Sequence, residues 1–139
     1  MGTVLRPNIS RKNKYWIERH RYYELKHFCL QYPIWKKARI ALDGFGERSA
    51  DFIEAAQKSG VSDPTARCAE ARAFYAERME MVEYAARETD PTIGGYILKG
   101  VTEGLSYEKL SARDLIPCCK DTYYELYRRF FWLLNKLRQ

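Results

Sequence analysis

The sequence predicts an all-α protein, a helical domain with a long central helix and a C-terminal helix-turn-helix. Helix-forming residues such as Ala, Glu, Arg, Lys and Leu dominate the composition, and β-branched residues do not occur in runs. The stretch 65–90 contains no Gly or Pro, which predicts one unbroken helix. Near the C-terminus, the apolar-striped stretches 106–113 and 119–137 are separated by a break that contains Pro117.

A chain of 139 residues suits one domain, or a small domain with an extension. Aromatic residues make up 14% of the chain, too many for a disordered tail. We predict four segments in the chain. They are a flexible basic arm at 1–13, an N-terminal helical region with a connector at 14–62, the long central helix at 63–90 and the helix-turn-helix region at 91–139.

The N-terminal helical region contains two predicted helices. The first runs from Lys14 to Gln31 and ends because the residue before Pro33 avoids the α conformation. Pro33 then occupies the first position of a second helix, which stops near Asp43 and the glycine that follows it. Residues 43–62 have turn signals at both ends and are predicted to form a loosely structured connector.

The central helix has clear start and stop signals. Asp63 suits the N-cap, Pro64 suits the first helical position, and the helix ends before Pro91. At 1.5 Å per residue it is roughly 39 Å long, so it needs the N-terminal helices or a second chain to pack against. A homodimer is therefore one expected assembly of the protein.

The predicted helix-turn-helix follows a further helix that begins after Pro91. Gly104 allows a turn, and Ser106 can cap the short helix after it. Four apolar side chains are expected to hold the short helix against the long one: Leu105, Leu110, Leu115 and Ile116.

When the residues of the long C-terminal helix are placed at 100° intervals around its axis, they form an apolar arc and a polar arc. The apolar arc contains Tyr123, Leu126, Tyr127, Phe130, Phe131, Leu133, Leu134 and Leu137. The polar arc contains Asp121, Glu125, Arg128, Arg129, Asn135 and Lys136. Trp132 falls in the middle of the polar arc, where core packing does not explain it, and is a candidate for binding a partner.

Charge is distributed unevenly over a formal net charge of +6, which suits a polyanionic partner. Residues 1–40 carry +8, residues 41–90 carry −5 and residues 91–139 carry +3. Arg128 and Arg129 are candidates for phosphate contacts, and the predicted arm brings Arg11 and Lys12 as further backbone contacts. The base-edge candidates near the start of the long helix are Lys120, Asp121 and Tyr124.

Other site classes have little support in the sequence. The four Cys form no CxxC pair and have no ligand-like spacing to His20 or His27, so we expect no metal. Phosphate-loop, HExxH and GxSxG motifs do not occur, so we expect no cofactor and no enzyme activity. No signal peptide or long apolar run occurs either, which predicts a cytoplasmic protein without a membrane contact.

Several sequence stretches resemble the small late-operon transcriptional activators of Gram-positive phages, of the RinA and ArpU type. They are YYELK at 22–26, FCLQYP at 28–33, DPTAR at 63–67, YILKGVTEG at 96–104, SY at 106–107, IPC at 116–118, DTYY at 121–124 and RRFFWLL at 128–134.

The resemblance implies an all-helical protein whose helix-turn-helix is similar to the promoter-binding region 4 of sigma factors. It implies a double-stranded promoter DNA partner and host RNA polymerase, in a bacterial cell. The positions that inherit the DNA role are Lys120, Asp121, Thr122, Tyr124, Arg128 and Arg129. Two alternatives stay open. One is a DNA-packaging protein of the terminase-small-subunit type, and the other is a helical interaction module that binds protein.

Overall fold

A computed structural model of the chain describes residues 11–47 and 64–139. The regular secondary structure of these residues is entirely helical, and it comprises six helices. They are α1 (Arg19–Leu30), α2 (Tyr32–Glu47), α3 (Pro64–Thr89), α4 (Gly94–Glu103), α5 (Tyr107–Arg113) and α6 (Lys120–Leu137). The predicted all-α class is confirmed, as are the long central helix and the C-terminal order of short helix, break and long helix.

The chain divides into two compact units. Among the described residues, the first unit comprises 11–32 and 81–139, and the second comprises 33–47 and 64–80. In the first unit, α4 packs on α1, α5 and α6, and α1 also packs on α6. The largest fully buried side chains of this unit include Leu25, Ile97, Leu110, Phe130 and Leu134. The candidate site lies entirely within the first unit.

Helix α1 begins at Arg19, so the predicted start at Lys14 is wrong. The side chain of Glu18 accepts hydrogen bonds from the backbone N–H groups of His20 and Arg21 and caps the helix. Before this cap, the side chain of Asn13 accepts a hydrogen bond from the backbone N–H of Tyr15 at 2.8 Å. Residues 11–18 therefore form turns and an extended approach to α1.

Helix α2 continues to Glu47, past the predicted stop near Asp43. In the second unit, Arg72 of α3 lies 3.3 Å from the carboxylate of Asp43 and donates to the carbonyl oxygen of Leu42 at 3.0 Å. A glycine inside a helix costs only about 1 kcal/mol, which such tertiary contacts offset. The proposed N-cap Asp63, most of the connector and most of the basic arm lie outside the described residues.

The corner between α3 and α4 brings two backbones close together. The carboxylate of Asp90 accepts from the backbone N–H groups of Thr92 and Ile93, both at 2.8 Å. Gly94 packs directly on the carbonyl group of Ala86, where an added Cβ would clash with the backbone. The contact between the two helices therefore requires glycine at position 94.

Helices α4 and α5 meet at a glycine in the left-handed conformation. Gly104 has a φ of 70° and ends α4, and its backbone N–H donates to the carbonyl oxygen of Gly100. Ser106 then caps α5, as predicted, by accepting from the backbone N–H of Lys109 at 3.3 Å. These two signals set the direction in which α5 leaves α4.

Candidate nucleic-acid interface

Tyrosine side chains hold α5, the break at 114–119 and α6 together. The hydroxyl of Tyr124 accepts from the backbone N–H of Tyr107 at 3.1 Å, at the start of α5. The hydroxyl of Tyr107 donates to the carbonyl oxygen of Cys118 at 2.8 Å, at the end of the break. One bond joins α6 to α5, and the other joins α5 to the break. Together they fix the angle between α5 and the first turn of α6.

A third tyrosine anchors α6 on α4. Tyr123 is fully buried, and its hydroxyl lies where a Cβ of residue 100 would be, so only glycine fits at Gly100. No hydrogen-bond partner for this hydroxyl is present within the described residues. Burial raises the pKa of Tyr123 well above its usual range, so the phenol stays neutral.

The first turn of α6 presents polar side chains to solvent. Lys120, Asp121 and Thr122 are all exposed, whereas the next two residues are buried. Cys119 precedes the helix in an extended conformation, and its exposed thiol is 3.2 Å from the hydroxyl of Thr122. The side-chain and backbone hydrogen bonds from Thr122 lower the pKa of Cys119 below its usual value.

Three exposed cations of α4, α5 and α6 are paired with carboxylates. Lys99 pairs with Asp114 at 3.1 Å, Arg113 pairs with Glu103 at 3.2 Å, and Lys120 pairs with Glu108. The hydrogen bond to Glu108 raises the pKa of Lys120, so the ammonium stays charged at neutral pH. Surface ion pairs contribute little to stability because solvent screens them, so an incoming phosphate group can replace the carboxylates at small cost.

Tyr124, a predicted base-edge residue, is placed differently from Lys120, Asp121 and Thr122. It is only 7% exposed, and its hydroxyl is occupied by the backbone of α5. Packing between α5 and α6 accounts for this residue, and we remove it from the set of candidate DNA contacts.

The two arginines of the polar arc are half-buried. Arg129 donates to the hydroxyl of Tyr15 and to the carbonyl oxygen of Glu88, both at 3.4 Å. The second contact lies in the last turn of α3, where helix carbonyl groups favour a cation. Arg128 pairs with Glu125 at 3.0 Å, and its side chain is 26% exposed. Both guanidinium groups are thus engaged within the protein, and Arg129 links three segments of it.

Trp132 is half-buried by an intramolecular neighbour. Its ring meets the ring of Tyr15 edge to face, with the centroids 5.5 Å apart, and the ammonium of Lys136 lies 3.5 Å from its centroid. The helical wheel did not reveal this contact because Tyr15 belongs to the extended segment before α1. Arg11 and Lys12 are exposed on the same segment, and the guanidinium carbon of Arg11 is 5.5 Å from the ring centroid of Trp16.

Leu115 was predicted to hold the two helices together, and this prediction is wrong. Leu115 is 90% exposed, whereas Leu110 and Ile116 of the same set are buried. Leu115 instead lines an open groove of about 540 Å³ beside α4. The lining of this groove is formed by Gly95, Tyr96, Lys99, Arg113, Asp114 and Leu115.

Within the described parts of the chain, no group of three or more His, Cys, Asp or Glu side chains is placed to hold a metal ion. All four cysteines are free thiols, and burial raises the pKa values of Cys29 and Cys118. Among the helices that the structure describes, none is long and apolar enough to cross a membrane.

The chain was compared with protein-family models, with curated proteins and with solved structures, and no match was found in any of the three comparisons. Functional assignment therefore depends on the geometry of the motif itself.

Proposed function

We propose that the chain is a sequence-specific double-stranded DNA-binding protein that regulates transcription. The observation that carries this proposal is the exposed polar first turn of α6, held against α5 by the hydroxyl groups of Tyr107 and Tyr124. In helix-turn-helix proteins, the first residues of the second helix contact base edges in the major groove, and the first helix crosses the sugar-phosphate backbone.

The side chains of the first turn offer both kinds of hydrogen-bond group. Lys120 can donate to the O6 and N7 atoms of guanine, and Asp121 can accept from the N4 amino group of cytosine. Thr122 can donate or accept. On α5, the exposed side chains of Lys109 and Arg113 are suited to phosphate contacts on either side of the groove.

The resemblance to RinA- and ArpU-type activators extends the proposal to a biological role. The chain would regulate late genes of a phage or prophage in the bacterial cytoplasm, together with host RNA polymerase. It would act without a cofactor and without enzyme activity of its own.

The test is binding of the purified protein to fragments of its own genome, at two salt concentrations, with random duplex as competitor. We expect one fragment to be retained at the higher salt, because base contacts survive when phosphate contacts weaken. Equal binding of all fragments, lost with salt, would contradict sequence specificity and favour a DNA-handling protein of the terminase-small-subunit type.

A second candidate function is a helical interaction module that binds protein. The observation that favours it is the open groove at 95–99 and 113–115, whose lining includes the exposed side chain of Leu115. Indifference to every duplex at low salt would reject the DNA-binding proposal and leave this candidate in place.

A further inference from the structure

A second group of cations lies at the opposite end of α6 from the first turn. Residues 11–24 and 136–138 together carry seven Lys or Arg and two Glu. Arg21 joins the two stretches, donating to the side-chain oxygen of Asn135 at 2.7 Å and to the carbonyl oxygen of Arg138 at 3.1 Å. The start of α1 and the end of α6 are therefore in direct contact.

Aromatic rings position the cations of this region. Lys136 lies over the ring of Trp132, and Lys14 lies 5.0 Å from the ring centroid of Tyr15. Because the rings of Trp132 and Tyr15 are themselves in contact, both ammonium groups are held around one aromatic pair. Such packing orders long side chains without neutralising their charge.

We call four exposed cations of this region the distal basic surface: Arg11, Lys14, Arg19 and Lys136. Among residues 11–47 and 64–139, none of the four is paired with a carboxylate. The nearby acids have other roles, since Glu18 caps α1 and Glu24 lies 3.7 Å from Arg21. This surface differs from the first turn of α6, where the one exposed cation, Lys120, already has an acidic partner.

The distal basic surface and the first turn of α6 are held a fixed distance apart. Lys120 and Lys136 belong to one continuous helix, sixteen residues apart, which corresponds to about 24 Å along its axis. A helix that enters the major groove, about 12 Å wide, by its first turn would leave a surface about 24 Å farther along its axis outside the part of the groove that the first turn occupies. Double-stranded DNA carries one negative charge for roughly every 1.7 Å of its axis, and it can supply phosphates over this whole span.

We infer that the distal basic surface is a second contact for the phosphate backbone of the same duplex, on DNA that flanks the groove entered by α6. This inference rests on the proposed function. It deepens that function by extending the footprint of the protein beyond the bases that the first turn reads. At the distal surface the protein contacts phosphate groups and reads no bases.

The test compares Lys14→Gln/Lys136→Gln with the matched control Lys36→Gln/Lys37→Gln, which removes two exposed lysines from the second unit. The probe is a random-sequence duplex of about 30 base pairs, long enough for a site and its flanks. For the distal variant we expect the slope of log K against log salt to fall by about 2, since each phosphate contact contributes about 0.9. The control should keep the wild-type slope.

A second variant, Lys14→Arg/Lys136→Arg, separates charge from packing. It keeps both positive charges, so we expect wild-type DNA binding. An equal loss in the Gln and Arg variants would overturn the inference, because it would indicate damage to the ring contacts. Thermal unfolding of each variant checks that the fold is intact.

The remaining outcomes separate the inference from the proposed function. If the wild type binds duplex DNA and the distal variant matches the control, the second contact is rejected and the proposed function stands. That result would leave the surface to an acidic protein partner. If the wild type does not bind duplex DNA at all, both proposals fail.

Discussion

The first turn of α6 and its middle turns carry similar polar side chains and use them in opposite ways. In the first turn, Lys120, Asp121 and Thr122 are exposed, and Lys120 pairs with Glu108 at the start of α5. Two turns later, Arg129 is half-buried and joins α6 to Tyr15 and to the end of α3. The polar arc of one helix is thus divided between a solvent-exposed part and a part that makes intramolecular contacts. Position along the helix separates the two, not residue type.

The largest effect is expected where α6 enters the core. Phe131 is 1% exposed, and its ring packs on those of Tyr22 and Tyr127 at centroid distances of 5.1 Å and 4.9 Å. Phe131→Ala should lower the free energy of unfolding by about 3–5 kcal/mol, because it empties core volume. The matched control Leu115→Ala, on an exposed side chain, should stay within about 0.5 kcal/mol of the wild type. Urea unfolding measures both, and equal losses would contradict the described packing.

A smaller effect is expected where α6 approaches α4. Gly100→Ala should cost about 1–3 kcal/mol, because the added methyl group meets the buried hydroxyl of Tyr123. Gly95→Ala adds the same methyl group in the same helix, where nothing lies within 4 Å, so it should be neutral or slightly stabilising.

Tyr123→Phe tests the cause of that difference. It removes the hydroxyl, which has no partner within the described residues, and should therefore rescue much of the Gly100→Ala loss. Thermal unfolding of the single and double variants measures the coupling. Additive effects in this double-variant cycle would show that the clash is elsewhere.

Much of the fold could be predicted from local signals. Pro64 and the stop before Pro91 defined α3, and Gly104 and Ser106 defined the turn into α5. These signals work because a cap or a breaker acts through atoms only a few residues away. The exposed first turn of α6 was predictable for the same reason, since it follows directly from where the break ends.

The contacts between distant segments could not be predicted in this way. The predicted helix start at Lys14 placed Tyr15 inside a helix, so its contacts with Trp132 and Arg129 had no signal. Leu115 is apolar but lies in the break, where backbone direction rather than residue type decides burial. A helical wheel assigns faces to one helix and carries no information on which other segment covers a face.

The division of α6 also predicts different results for two cations. Arg129→Ala should lower the free energy of unfolding by about 1 kcal/mol and leave the salt dependence of DNA binding unchanged. Lys120→Ala should leave the urea midpoint of unfolding at its wild-type value and reduce the preference for the retained fragment over random duplex about tenfold. Urea unfolding and competition binding measure the two properties. If Lys120→Ala lowered stability and Arg129→Ala weakened DNA binding, the division of α6 into an exposed first turn and an intramolecular middle would be contradicted.

The central claim is that DNA covers the first turn of α6, and Cys119 is a native probe of that turn. It is exposed, and hydrogen bonds from Thr122 lower the pKa of its thiol, so it should react faster with iodoacetamide than buried Cys29, whose pKa is raised. Cys68, in the second unit, serves as the internal control.

The most direct measurement is therefore the alkylation rate of each cysteine, followed by peptide mass spectrometry, with and without saturating random-sequence duplex at low salt. Covering of the first turn predicts that DNA slows Cys119 about tenfold or more while Cys68 reacts as before. An unchanged rate at Cys119, with DNA bound, would contradict the claim and place the DNA elsewhere on the protein.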